Sequence, residues 1–190
     1  MKKIFLLVII LIFGITLYVA KDRLVKSIYK IAYERCYYAQ IRRSGLETGV
    51  DPLLLTAVAY TESKFRASAV SPSGAIGIMQ LMPQTAFHIA AKNGINLKDT
   101  SDLFIPEMNI QISAYYLKSL ITDFHDTKLA IAAYNGGPSS IREWLKGEKG
   151  SDSDIAFFHK DETRRYVENV LKVEERLQRA KRIWRWIREI

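Results

Sequence analysis

The feature of this sequence best suited to chemistry is an acid placed where an apolar helix runs out into a polar loop. Leu53–Pro83 reads LLLTAVAYTESKFRASAVSPSGAIGIMQLMP. The first part has the spacing of a buried helix, Glu62 stands at its end, and a loop rich in Ser, Pro and Gly follows. A carboxyl in that position is partly desolvated. Desolvation disfavours the ionised form and raises the pKa, as a general acid working near neutral pH requires. Taken alone, a glutamate near a helix end is more often a solvated surface residue. The residues that come next reverse that preference, and Glu62 is the expected acid.

Helices must position that acid, and their punctuation is legible. Asp51-Pro52 starts one: the Asp side chain accepts a hydrogen bond from a first-turn amide, and Pro gives up an amide that would go unpaired there. Leu54, Leu55, Val58 and Ala59 form its buried face, and Glu62, one turn past Val58, shares that face. Pro83 to Asn93 predicts another helix, with Ala86, Ile89 and Ala90 inward and Gly94 stopping it, and Leu97–Phe104 reads as a connecting loop. Pro106 opens a long helix whose Met108, Ile112, Tyr115, Tyr116 and Ile121 supply a broad apolar face. Leu129–Pro138, LAIAAYNGGP, reads as a helix cut short by Gly-Gly-Pro, with Tyr134 and Asn135 at its terminus, where side chains can face a cleft. Gly147–Asp154 mixes Gly, Ser and Asp and reads as the most mobile loop. Tyr166–Ile190 predicts a last helix, its Val170, Val173, Leu177, Ala180, Trp184 and Ile187 forming a stripe with basic residues on the other faces.

Three stretches carry a resemblance. Glu62-Ser63 followed by Ser71-Pro72-Ser73-Gly74-Ala75-Ile76-Gly77-Ile78-Met79-Gln80-Leu81-Met82-Pro83 resembles the core motif of the soluble lytic transglycosylases, with Ile78 in place of the usual Leu. Ala132-Ala133-Tyr134-Asn135-Gly136-Gly137-Pro138 resembles the second signature of that family, Gly136 standing where Ala is usual. Glu162-Thr163-Arg164-Arg165-Tyr166-Val167 resembles the third, although Phe157-Phe158-His159-Lys160 departs from the apolar-Pro-Phe run expected before it. The likeness spans roughly residues 47–171.

The resemblance implies an all-α, lysozyme-like domain acting on the glycan strands of peptidoglycan. Glu62 would protonate the oxygen bridging N-acetylmuramic acid and N-acetylglucosamine. Ordinary glycosidases meet the resulting positive charge with a second carboxylate. No acid near Glu62 in the motif matches such a role, and in the family the substrate's own acetamido oxygen is taken to stabilise the charge. Glu62, now ionised, would then accept the proton of the muramyl O6 hydroxyl as that oxygen closes a 1,6-anhydro ring, so the enzyme is a lyase. The nearest alternative is a muramidase in which water attacks; a wall-binding scaffold that no longer cuts is the alternative from another class.

The resemblance also implies substrate contacts at Ser71, Gly77, Gln80, Met82, Tyr134, Asn135, Glu162 and Tyr166. Gly74 and Gly77 permit backbone conformations closed to other residues and leave room for a sugar chain. Gln80 offers donor and acceptor to an N-acetyl group or hydroxyl, and the Tyr134 phenol can pack on a sugar face and hydrogen-bond with its hydroxyl. Met79 and Met82 are more commonly core filler, though the family pattern puts Met82 along the groove. Glu162 reads equally well as a helix-starting acid stabilised by the helix dipole.

The rest of the chain sets limits. Its 190 residues, 48% hydrophobic and 25% charged, suit one domain with a short appendage, and the net charge of +8 favours anionic surroundings such as acidic lipid or wall polymer. No zinc-finger, helix-turn-helix or RNA-binding signature appears, so nucleic acid is not an expected partner. Cys36 is the single cysteine, which allows no disulfide within one chain, and it reads as a small buried hydrophobe. His88, His125 and His159 lack metal-ligand spacing and no Ca²⁺ loop is present, so no metal or other cofactor is expected.

After Lys2-Lys3, Ile4–Ala20 is free of charge and reads as a short transmembrane signal anchor; a cleaved signal peptide is the rival, with Ala20 well suited to a cleavage site and Tyr18 too bulky. Lys21, Arg23, Lys26 and Lys30 outweigh Lys2 and Lys3, and charge alone would put the body of the protein in the cytoplasm. The substrate requires it outside. The expected organisation is thus residues 1–20 as anchor, 21–46 as a linking helix with Leu24, Ile28, Ile31 and Ala32 at helical spacing, 47–171 as the catalytic domain and 172–190 as a basic C-terminal helix extension. The Trp184-Arg185-Trp186 end suits packing on the domain, anionic lipid, or a partner from the cell-wall machinery.

Overall fold

Helices begin where this chain offers a cap or a proline. A computed structural model describes residues 37–147 and 161–188, with side chains described as far as residue 182. Its helices are α1 (Tyr37–Thr48), α2 (Pro52–Ser63), α3 (Pro83–Lys92), α4 (Pro106–Phe124), α5 (Thr127–Gly136), α6 (Pro138–Gly147) and α7 (Asp161–Arg188), with a 3₁₀ turn at Thr100–Phe104 before α4. Asp51 caps α2, its carboxylate accepting from the Leu53 amide at 2.7 Å, and Asp126 caps α5 through the Leu129 amide at 2.8 Å. Pro stands in the first turn of α2, α3 and α4, where no amide is missed. The stretch read as a plain connecting loop holds that 3₁₀ turn. Asp99 accepts from the Ser101 amide and Asp102 from the Lys98 amide, so local carboxylate bonds wind the backbone where no apolar period announces a helix. The last helix starts at Asp161, with Glu162 in its first turn.

α2 is the hub of the domain. Leu53 through Ala59 are all buried, the signature of a helix covered on every side. α7 packs along it, and α5 lies against both α7 and α4. The main apolar cluster joins Leu55, Val58 and Phe65 to Ile110 and Leu117 of α4, Ile131 of α5 and Val167, Val170 and Leu177 of α7. The predicted stripe of α7 is buried from Val170 through Ala180. The helix runs unbroken past residue 171, and Val173 and Leu177 belong to the core. A second, smaller cluster gathers Ile76 and Leu81 of the loop, Ala86, Ile89 and Ala90 of α3, Leu103 and Ile112. Tyr116 and Tyr134 are packed against both clusters, with ring centroids 5.3 Å apart. The fold is all-α, the loop contributing only the bridges Val70–Ile76 and Ile76–Leu81.

Among the described residues no helix is long and apolar enough to cross a membrane. The expected anchor at 4–20, most of the linking helix, Cys36, His159 and the 148–160 stretch lie outside the described residues, as do the side chains of Trp184, Trp186 and Ile187.

Candidate active site

The last turn of α2 carries Glu62, and the chain breaks helical form immediately after it. Lys64 caps α2 in the left-handed region (φ 54°), and Phe65 follows in the same region (φ 61°) with its ring fully buried. A bulky residue adopts such a φ only when its surroundings over-determine it. Here burial of the Phe65 ring in the main cluster supplies the hold. The backbone therefore turns sharply beyond the acid.

Glu62 faces α7. The Tyr166 hydroxyl donates to its Oε1 at 2.6 Å, joining residues 104 apart in sequence. The side chain is half-buried, and burial pushes the carboxyl from 4.5 up to about 7, outweighing the Tyr166 hydrogen bond that favours the anion. Burial and the nearby Glu62 charge hold the Tyr166 and Tyr134 phenols well above their usual pKa, so both remain protonated donors. Neither cause of the Glu62 shift is a second carboxylate. The arrangement provides a carboxyl that is about half protonated near pH 7, able to give up its proton as an acid and to take one back as a base.

Tyr134 was expected to offer its hydroxyl to a sugar. That hydroxyl instead donates to the Met79 carbonyl at 2.9 Å, fixing the motif loop to α5. Gln80 also turns partly inward. Its Nε2 donates to the carbonyls of Gly77 (2.8 Å) and Ala69 (3.2 Å), while Oε1 makes no hydrogen bond among the described residues. Ser71 accepts from the Ala75 amide at 3.0 Å and closes its own turn. At Gly77 (φ 84°) the close neighbour is protein: a Cβ would meet Asn109 Nδ2 and the Leu103 carbonyl, each at 2.4 Å. Gly74 (φ 85°) has open space beside it, as a ligand-facing glycine should. Met82 is 44% exposed, far more than core filler would be.

Asn135 and Glu162 come together elsewhere, at the junction of α5 with the start of α7. With Gly136, Asp161 and Thr163 they line a cavity of about 310 Å³, one turn of α7 before Tyr166. Thr163 Oγ1 donates to Asn135 Oδ1 at 3.1 Å, which turns the Asn135 amide nitrogen away from that bond. Glu162 is exposed and stands in the first turn of α7, a place open to both readings of it. Among the described residues no group of His, Cys, Asp and Glu could hold a metal ion.

Two positions carry more than the sequence reading assigned. Ser63, beside the acid, points into the core, where its hydroxyl donates to the Ile78 carbonyl at 2.7 Å and accepts from the Arg66 amide at 3.0 Å. Asn109 of α4 is buried among apolar neighbours and bonds to the same loop. The signal for both was a polar residue at a position the helical period assigns to the core.

An all-α domain that holds a half-buried glutamate against a tyrosine, just ahead of a looped motif, defines a recognisable class, and residues 40–157 match the family described as Transglycosylase SLT domain. The chain belongs to that family. It is 39% identical over 120 residues to the soluble lytic murein transglycosylase of Salmonella typhimurium, covering 60% of this chain and 19% of that protein. It is 33% identical over 154 residues to the membrane-bound lytic murein transglycosylase C of Edwardsiella ictaluri, covering 76% of this chain and 41% of that one. Among solved structures, an inactive mutant of the lytic transglycosylase Slt of Pseudomonas aeruginosa superposes with a TM-score of 0.72 at 36% identity, over 80% of this chain and 25% of that one. The 70 kDa soluble lytic transglycosylase of Escherichia coli gives 0.70 at 31% identity, over 76% and 24%. The chain thus spans about a fifth of the soluble relatives' length and about two fifths of the membrane-bound one.

Proposed function

We propose that the chain is a peptidoglycan lytic transglycosylase that cleaves the β-1,4 bond between N-acetylmuramic acid and N-acetylglucosamine without water. The observation that carries this reading is a carboxyl kept partly protonated near pH 7 by burial and bound by Tyr166, with no second carboxylate among the described residues as a cause of its shift. Glu62 donates its proton to the bridging oxygen as the bond to the anomeric carbon breaks. The substrate's acetamido oxygen stabilises the charge left on that carbon. The Glu62 carboxylate then takes the proton of the C6 hydroxyl while O6 bonds to the anomeric carbon. The acid is regenerated, and the strand ends in 1,6-anhydromuramic acid. A nucleophilic or basic partner carboxylate would lie about 5–9 Å from the acid in a hydrolase of the two-carboxylate type, and among the described residues none is a cause of the Glu62 shift.

In this reading Gln80 Oε1, Met82 and the face of Tyr134 border the reacting sugars, and Asn135 with Glu162 serves a neighbouring one. Ser71 and Gly77 shape the loop. The 4–20 segment anchors the protein in the membrane with the catalytic domain, residues 47–171, outside the cytoplasm; residues 21–46 link the two, and the 172–190 extension, whose Val173 and Leu177 pack into the core, turns its basic residues to lipid or a wall-machinery partner. Both soluble and membrane-bound proteins among the relatives support an envelope location. Mass analysis of muropeptides from digested sacculi tests the reaction. Anhydro ends, lighter than reducing ends by one water, are expected from wild type and absent with Glu62→Gln. Reducing ends would replace this reading with a muramidase, and no release by wild type would replace it with a wall-binding scaffold.

A further inference from the structure

We infer that Asn109 is a positioning residue for Glu62, acting through the loop it holds. Its side chain is fully buried, yet all three of its bonds go to backbone outside its own helix. Oδ1 accepts from the Met79 amide at 2.9 Å, and Nδ2 donates to the carbonyls of Ile76 and Leu103, each at 2.9 Å. Two acceptors on one side and a donor on the other admit only one orientation of the amide and exclude a carboxylate. One side chain therefore clamps both ends of the Ile76–Met79 turn and ties it to the 3₁₀ turn.

The clamp reaches the acid by two routes. Met79, held through its amide by Asn109, accepts from Tyr134 through its carbonyl. Tyr134 is one of the two phenols whose titration feels the Glu62 charge; Tyr166, the other, donates to it. Ile78, between the clamped residues, accepts from Ser63, the neighbour of Glu62 on the last turn of α2. The Gly77 requirement follows as well, since a Cβ there would occupy the space of the Asn109 amide. Losing the clamp takes the partner from the Met79 amide and the Leu103 carbonyl, while the Ile76 carbonyl keeps the Leu81 amide, and the two freed groups would draw water toward the site. The titratable groups that act on Glu62 are Tyr166 of α7 and Tyr134 of α5, and of the two only Tyr134 is bonded to the loop that Asn109 holds.

This inference rests on Glu62 being the acid, and its test separates the two ideas. Asn109→Ala is compared with Leu117→Ala, a buried position on the same α4 that bonds to nothing in the loop. Both are expected to lower the melting temperature. Only Asn109→Ala is expected to reduce kcat on soluble glycan fragments, by about 100-fold, the scale of a misplacement relayed from outside the chemistry. It is also expected to move the basic limb of the kcat–pH profile down from about 7 toward the ordinary carboxylate value of 4.5. Asn109→Asp, which keeps the acceptor and loses both donors, is expected not to restore either. If Asn109→Ala melts lower but keeps the wild-type kcat and limb, as Leu117→Ala does, the residue is structural only and the inference is wrong. If Glu62→Gln remains active, the reading of the acid fails instead.

Discussion

Two regions close on Glu62, and they hold their shape by different means. On one side α2 and α7 meet through apolar side chains, Val58 and Leu55 against Val167 and Val170, and that burial raises the pKa of the acid. On the other side the segment 64–82 has little regular structure and leans on side chains that reach into it from three helices: Ser63 from α2, Asn109 from α4 and Tyr134 from α5. Non-directional packing tolerates small shifts, whereas a network of buried hydrogen bonds tolerates none, because each orphaned group carries its full desolvation penalty. The first region sets the proton affinity of the acid; the second sets what stands opposite it.

The contrast is sharpest at the acid. Glu62→Gln keeps the shape of the seam and removes the proton, so the rate of muropeptide release should fall by about 10²–10⁴-fold, roughly 3–5 kcal/mol of barrier. Because the folded-state pKa lies above the unfolded one, the stability that Glu62 contributes is complete below pH 4.5. It is lost as pH rises through about 7. Glu62→Gln should escape that loss and unfold at higher denaturant than wild type above pH 7, by up to about 3 kcal/mol. Equal midpoints at pH 5 and pH 8 would show that the seam does not desolvate the carboxyl.

The loop should break differently. Gly77→Ala forces a left-handed φ on alanine and drives a Cβ against the Leu103 carbonyl and Asn109. Chemical denaturation should show a loss of about 4 kcal/mol or more, the range reserved for strain combined with overpacking. Ser63→Ala, which leaves the Ile78 carbonyl without its partner while the Arg66 amide keeps the Ser63 carbonyl, should cost about 1–3 kcal/mol in the same assay. Tyr134→Phe removes a single bond to Met79 and should cost about 1 kcal/mol. If Ser63→Ala were as silent as an exposed substitution, the loop would be standing on its own turns and the contrast between the two regions would fall.

The same contrast explains what the sequence could disclose. α2 was legible because Asp51-Pro52 marks its start and its apolar run is continuous, and α7 because Val170, Val173 and Leu177 keep a helical period. Glu62 was singled out as the expected acid by the motif that follows it, since its place at the end of an apolar helix alone would have suggested a surface glutamate. The loop's supports were not legible, since a hydroxyl or amide on a core face does not say which carbonyl it will find: Ser63 bonds fifteen residues ahead and Asn109 thirty-three residues back. Tyr134 and Gln80 were read as facing the substrate with their polar ends, but the unpaired backbone of an irregular segment claimed the Tyr134 hydroxyl and the Gln80 amide nitrogen first. The 3₁₀ turn at Thr100–Phe104 escaped because Asp99 and Asp102 build it through local bonds.

The central claim is that burial raises the pKa of one carboxyl to about neutral pH. Titrating the Glu62 side-chain carboxyl carbon by NMR in the otherwise native protein measures this without reference to substrate. A midpoint near 7 is predicted. A midpoint at the ordinary 4.5 would mean an ionised, solvated glutamate at working pH, and the acid-then-base account would be contradicted.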